Sequence, residues 1–295
     1  MNKSNTVKID NLSLSHKDLL FYRIKDIDTI ISEYSFANLY LFRKRHNYKV
    51  ITFDDSIYLS GITVDNINFV MPLIDLYGRE NGDREITKLI DFAKKEDKII
   101  FPVDERWLTS FNMPSDKIYY CEADTDYIYT AEKMCTYKGR KLHKKRNLLK
   151  QFKIKYNYKS FPLVKQEVQK AKDVLDVWIN QNNLNKADSD YEACYEALEK
   201  MDELILCGII YYVDDDPAGF ILGEELRDDT FVVHFAKAKK EYKGIYQFIY
   251  NNFAKILPKR YKYLNFEQDL GKDSLRIAKR SYIPDYLLKK YRITP

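Results

Sequence analysis

The 295-residue sequence holds only 4 cysteines, 9 glycines and 8 prolines. Cys121, Cys135, Cys194 and Cys207 lack CxxC spacing, which argues against a disulfide framework and against a zinc site. They are expected as small core residues of a protein in a reducing compartment. So little Gly and Pro excludes a collagen-like, linker-like or low-complexity chain. No uncharged run exceeds the 11 residues from Gly244 to Ala254, whereas a membrane-crossing helix needs about 20 mostly apolar residues. The opening stretch up to Asn11 has no apolar centre of the kind a secretory signal needs, so the expected location is the cytoplasm. P-loop, GxGxxG after a strand, HExxH, GxSxG and EF-hand patterns are all missing, and no metal site is implied.

What is present is 45% hydrophobic and 32% charged residues, enough apolar matter for one or two cores. The length suggests two domains. The net charge of +5 is unevenly spread. Lys138, Arg140, Lys141, Lys144, Lys145, Arg146, Lys150, Lys153 and Lys155 fall within 18 residues that contain no Asp or Glu, so the rest of the chain carries −4. A cationic block of that purity points to one local anionic partner rather than to general stickiness.

Hydrophobic spacing predicts helices over residues 17–31, 84–95 and 140–156, the last with Leu142, Leu149, Phe152 and Tyr156 on one stripe. Short strands are expected at 48–53, 56–60, 68–72, 98–101, 119–122 and 126–129, with Asp54-Asp55 and Gly61 as turns. Residues 35–42 form an aromatic stretch expected to be buried. The domain boundary is placed near Phe161-Pro162. The second half reads as helices 166–183 and 191–201, strand 204–213, a hairpin turn at Asp214–Pro217, strands 218–223 and 230–236, helix 245–257, strand 261–267, helix 273–280 and a last strand at 287–293.

That order resembles the GNAT (acyl-CoA N-acyltransferase) fold, in which the third strand and the strand after the helix splay apart to open a cleft. The first half repeats the alternation in blurred form. The expected fold is α+β: tandem GNAT-like domains, residues 1–160 and 161–295, with mixed, mostly antiparallel sheets flanked by helices. Four stretches carry a closer likeness: SFANLYLFR from Ser35, GRKLHKKRN from Gly139, DTFVVHF from Asp229, and NFEQDLG from Asn265 running on to LRIAKRSYIP from Leu275. Together they resemble the bacterial family that shares a domain with the C-terminal part of phosphatidylglycerol lysyltransferase. The resemblance implies kinship with aminoacyl-tRNA-dependent transferases, including the Fem-type peptidoglycan enzymes. The membrane-anchored relatives place a large transmembrane region ahead of this domain, and peripheral membrane contact stays open for this chain.

Candidate site residues lie in these stretches. Arg140 and Arg146 suit bidentate phosphate contacts, while Lys144 and Lys145 supply point charge and His143 can titrate or orient a phosphate. The alternative is a solvated helix face. Acyl-CoA enzymes of this fold carry Q/R-x-x-G-x-G/A before the helix, where backbone N–H groups bind pyrophosphate. Here the window reads Lys239-Lys240-Glu241-Tyr242-Lys243-Gly244, which argues against ordinary acetyl-CoA use, although Lys243 and Gly244 can still meet an anion. Glu267 and Asp269, at the end of the splayed strand, are expected to take a proton or to grip an amine. The alternative for them, and for His234, is a satisfied polar cluster at a strand end. Arg276 and Lys279, with Arg280, belong to a second basic patch expected to line the same groove. The expected function is transfer of an aminoacyl or acyl group from a phosphate-bearing donor, aminoacyl-tRNA or a coenzyme A thioester, to an amine or hydroxyl. The competing expectation is a non-catalytic module that grips RNA, nucleotide or anionic lipid.

Overall fold

The computed structural model describes residues 7–53, 56–74 and 82–295, so the turn expected at Asp54-Asp55 lies outside the described residues. In chain order the elements are β1 (Lys8–Asn11), α1 (Lys17–Lys25), α2 (Phe36–Leu41), β2 (Lys49–Phe53), β3 (Ser56–Ile62), β4 (Asn68–Met71), α3 (Gly82–Lys95), β5 (Ile99–Val103), α4 (Leu108–Phe111) and β6 (Ile118–Tyr120). Next come β7 (Asp126–Thr130), α5 (Ala131–Thr136), α6 (His143–Lys155), β8 (Tyr158–Pro162), α7 (Val168–Gln181), α8 (Tyr191–Glu199), α9 (Met201–Leu204) and β9 (Cys207–Val213). The last are β10 (Asp216–Arg227), β11 (Thr230–Ala238), α10 (Ile245–Ile256), β12 (Tyr263–Asn265), α11 (Asp273–Arg280), β13 (Tyr286–Leu288) and β14 (Tyr291–Ile293).

The chain forms two compact units, each with a seven-stranded mixed sheet. One comprises residues 1–126, 268–272 and 288–295; the other comprises 127–267 and 273–287. The division therefore falls at residue 126 rather than near Phe161. The reason is the basic helix: Leu142 and Phe152 are buried in the core of the second unit, which ties α6 to the later elements of the chain rather than to the earlier ones.

Each unit repeats one plan. In the first, β2, β3 and β4 pair antiparallel, α3 comes next, and β5 returns parallel to β4. In the second, β9, β10 and β11 pair antiparallel, α10 comes next, and β12 returns parallel to β11. The tight turn between β9 and β10 has Asp214 at φ 50° and Asp215 at φ 67°, the left-handed pair that a two-residue hairpin needs. β12 pairs with β11 only at Thr230–Val232, while β11 runs on to Ala238. The two strands thus part after Asn265, which is the splay expected of this fold. Both units are GNAT-like, and the chain is a tandem of them.

The two sheets also exchange strands. β14, from the C-terminal segment, lies between β5 and β6 in the first unit's sheet; β7 lies between β12 and β13 in the second's. The single last strand expected at 287–293 is in fact β13 and β14, one in each sheet. Lys290 makes the break. Its ammonium is fully buried in the first unit, 2.6 Å from both Glu33 Oε2 and Asp126 Oδ1. Ser32 Oγ and Gln268 Oε1 complete its shell at 3.1 and 2.9 Å. Two residues on, Arg292 forks onto Asp65 at 2.7 and 2.8 Å and reaches Asp124 Oδ2 at 2.7 Å.

The helix expected over 17–31 stops at Lys25. Ile27 and Ile31 are still buried, but in irregular chain, where Thr29 Oγ1 donates to Asp104 Oδ2 at 2.7 Å. The aromatic stretch at 35–42 is buried as expected, and its Phe36–Leu41 core is helical, with the Ser35 side chain accepting from the Asn38 N–H.

Candidate functional site

Gly139 opens the basic segment with φ 100°, ψ 161°, a backbone conformation that a side chain disfavours. One 3-10 turn, Arg140–Leu142, leads into α6. The apolar stripe read from the sequence faces the second unit's core. Phe152 stacks on Phe248 of α10 with ring centroids 4.8 Å apart, and burying its ring stabilises the helix by about 2–3 kcal/mol. The cations are left on the outer side. None of the nine, from Lys138 to Lys155, makes an ion pair with a described acid, although most buried cations elsewhere in the chain do.

Arg140, Lys141, His143, Lys144 and Arg146 line one half-open hollow of about 500 Å³ at the N-terminal end of α6. Four expected donor-binding residues (Arg140, Lys144, Arg146 and His143) are thus brought together. They are not equally available. Arg146 donates to the carbonyls of Tyr137 and Gly139, so part of its fork holds the preceding loop. His143 pairs with the Asn147 amide at 3.3 Å. Lys145 points elsewhere, to Ser281 Oγ at 2.7 Å and over the Tyr282 ring.

Gly244 sits at the start of α10, with φ 91°. A Cβ placed there would lie 2.5 Å from the carbonyl oxygen of Leu148, so this glycine lets the α6 backbone press against the end of α10. The flanking loop is tied down as well. Gln181 accepts from the Lys240 N–H at 2.7 Å and donates to Glu241 Oε2 at 2.7 Å, and the Tyr156 hydroxyl donates to the Glu241 carbonyl. The Gly244 end of the Lys239–Gly244 window is therefore packed against the chain's own α6. Lys243 is exposed beside it.

The Asn265–Gly271 stretch divides between the units. Glu267 has φ 56°, a left-handed turn held by Asn265 Oδ1, which accepts the Glu267 N–H at 2.7 Å. Its carboxylate Oε1 accepts from His234 Nδ1 at 2.7 Å, and His234 Nε2 donates to Glu224 Oε1 at 3.0 Å. Burial opposes charge on His234, but the field of Glu267 and hydrogen bonds to both carboxylates outweigh it and raise the pKa to about 10. His234 is an imidazolium at neutral pH, and it fixes the Glu267 carboxylate on one side. Asp269, in contrast, is fully buried in the first unit, where its carboxylate accepts the Gly271 N–H at 2.9 Å and closes a turn. Glu267 and Asp269, each expected to take a proton or to grip an amine, therefore sit in two separate arrangements.

The Lys279 ammonium caps the carbonyls of Phe266 and Glu267 at 2.6 and 3.1 Å. Arg276 pairs with Asp273 at 3.3 Å. The second basic patch is thus partly consumed in holding the Glu267 turn. Two features escaped the sequence reading. Glu224 is one, for which an acid pair inside an apolar strand (Glu224-Glu225) was the available signal. The other is the Lys290–Glu33–Asp126 cluster, whose members are 93 and 164 residues apart along the chain and give no local pattern. Among the described residues no helix is long and apolar enough to cross a membrane.

Comparison with known proteins agrees with this architecture. A conserved Bacteroides thetaiotaomicron protein of unknown function is 27% identical, with TM-score 0.82 over 97% of this chain and 99% of that one. The C-terminal domain of a candidate lysylphosphatidylglycerol synthetase from Agrobacterium fabrum shares the fold at 14% identity, with TM-score 0.61 over 96% of this chain and 92% of that one. An uncharacterised Mycoplasmoides gallisepticum protein is 28% identical over 179 residues; the match covers 58% of this chain and just 56% of that relative's length. Residues 24–294 match the family described as phosphatidylglycerol lysyltransferase, C-terminal, whose fold is that of GNAT-like aminoacyl and acyl transferases. With nearly the whole sequence inside that match and both units folded accordingly, the chain belongs to the phosphatidylglycerol lysyltransferase C-terminal family.

Proposed function

We propose that the protein transfers an aminoacyl group from a tRNA donor, rather than an acyl group from coenzyme A, to an amine or hydroxyl acceptor. The observation that carries this reading is the nine-cation segment without an acid partner among the described residues, with its hollow at Arg140, His143 and Lys144. A run of like charges costs stability until a polyanion neutralises it. Seven of the nine cations (Lys138, Arg140, Lys141, Lys144, Lys150, Lys153 and Lys155) are exposed, more than the phosphates of one coenzyme A would engage. The blocked start of α10 supports the same choice.

In this reading Arg140 and Lys144 hold donor phosphates and His143 orients one of them. Glu267 acts as an anchor. Its carboxylate, held by His234, is placed to serve as a counter-ion for the amino group of an aminoacyl ester. Rate then comes from positioning donor and acceptor and from the positive field on the ester carbonyl.

Titration of unacylated tRNA at several salt concentrations tests the donor. A plot of log affinity against log salt is expected to have a slope of about −4 to −6, and Lys144→Ala or Lys150→Ala each to flatten it by about 1. A shallow slope, or displacement of tRNA by coenzyme A, contradicts the reading. Turnover of charged tRNA with an amine acceptor then separates a transferase from a polyanion-binding module that has lost activity.

A further inference from the structure

α6 is 13 residues long, about 20 Å at the usual helical rise. Its apolar stripe is already spent: Leu142, Leu149, Phe152 and Tyr156 pack into or against the second unit's core. The line opposite that stripe passes through His143, Asn147, Lys150 and Ile154, which recur at helical spacing. All four are exposed, and Ile154 stands 75% in solvent. About 90° to one side of this ridge are Lys144 and Lys155, and about as far to the other are Arg146 and Lys153. Burial, and after it the charge of Lys255 on α10, lower the Lys153 pKa, so a further cation stands near the second flank. The cationic hollow lies at the N-terminal end of the same ridge. A ridge of hydrogen-bonding groups between two cation rows suits a helix laid in a nucleic-acid groove. The rows meet the two phosphate strands, and the ridge meets what lies between them.

The ridge also selects among anions. A helix lying on an anionic bilayer offers its apolar face outward, whereas here that face is buried. A single-stranded nucleic acid is held by exposed rings on which bases stack, and the outward face of α6 has none. Reading B-DNA in its major groove relies above all on arginine forks at guanine. The ridge carries no Arg, and neighbouring Arg146 already donates to the carbonyls of Tyr137 and Gly139. It presents instead the Asn147 amide and the His143 ring, which hold each other at 3.3 Å, and an isoleucine. Those groups match hydroxyls and sugar C–H edges, which line the wide, shallow minor groove of A-form RNA.

We infer that α6 docks lengthwise in the minor groove of a double-helical RNA segment, with Asn147 on ribose 2′-hydroxyls and the flanking cation rows on the two backbones. The choice of RNA as the natural partner rests on the tRNA-donor reading above, because a tRNA presents stems of this form. The inference adds which part of the donor is held, and by which face of the helix.

The test uses the full chain and blunt duplexes of about 16 base pairs, and needs no charged tRNA. The RNA duplex should bind about 10-fold tighter than the DNA duplex of the same sequence, and than either RNA strand alone, and should displace unacylated tRNA. Asn147 is exposed, so Asn147→Ala should keep the melting curve; it should bring RNA-duplex affinity down to about the DNA level with the salt slope unchanged. Lys153→Gln and Lys155→Gln should each flatten the slope by about 1 on both duplexes. Equal affinity for RNA and DNA duplexes, or an RNA preference that survives Asn147→Ala, overturns the inference. So does a preference for the single strand, or capture by phosphatidylglycerol vesicles in place of the duplex. Should tRNA bind with a steep salt slope that the RNA duplex does not compete away, groove docking is refuted and the proposed donor stands. Should the RNA duplex bind as expected while charged tRNA gives no turnover with any amine acceptor, the transferase reading fails and groove docking stands.

Discussion

Glu33 offers the sharpest test of how the C-terminal segment is held. Its carboxylate is 6% exposed and shares the Lys290 ammonium with Asp126, so two acids compete for one buried cation. Burial raises the Glu33 pKa from 4.5 to about 7, more than Lys290 lowers it. The folded protein therefore holds a proton that the unfolded chain releases. This proton's contribution to stability is complete below about pH 4.5 and is lost as pH rises through about 7. The interval is worth about 3 kcal/mol. Glu33→Gln is a neutral isostere that leaves Lys290 its bonds to Asp126, Ser32 and Gln268. In urea melts from pH 5 to pH 8, the variant should start near wild-type stability and move ahead of it by about 2–3 kcal/mol, with the gap flat above pH 8. A gap that stays constant with pH, or one in which wild type gains at high pH, refutes the two-acids-one-cation account.

Other consequences are equally direct. Phe152→Ala removes the ring that stacks on Phe248 and should cost about 3–5 kcal/mol in a urea melt, detaching α6 and weakening the proposed tRNA binding with it. Because His234 holds its proton to about pH 10, the advantage of wild type over His234→Gln should be greatest below about pH 6.5 and fade as pH rises through 10; a gap independent of pH contradicts the imidazolium assignment. Gly244→Ala places a Cβ against the Leu148 carbonyl at a positive φ and should cost about 2 kcal/mol or more, read by thermal melting.

Much of the molecule was legible along the chain because its signals are local. The helices at 84–95, 140–156 and 245–257 have an apolar face of their own, and the Asp214-Asp215 turn has its own chemistry, so each appears within a few residues of its expected place. The purity of the cationic segment was visible for the same reason: charge that no neighbour cancels is a property of sequence. Where the reading erred, the cause was long-range. Lys145 and Lys279 read as free cations because their oxygen partners are set by packing, 136 residues away for Ser281 and on another element for Phe266 and Glu267. Glu267 and Asp269 read as alternative candidates at one strand end, yet the chain passes from one unit to the other between them.

The amino-acid sequence by itself determined the order of elements and the presence of one purely cationic segment, since period, turn chemistry and net charge act over a few residues, and its quoted motifs carried the resemblance to the family. Only the tertiary structure decided which charges are spent and which are free. Burying an ion is so costly that every deep one must find its counterpart, and Lys290, Arg292 and His234 find theirs on distant strands and loops whose meeting no local pattern announces.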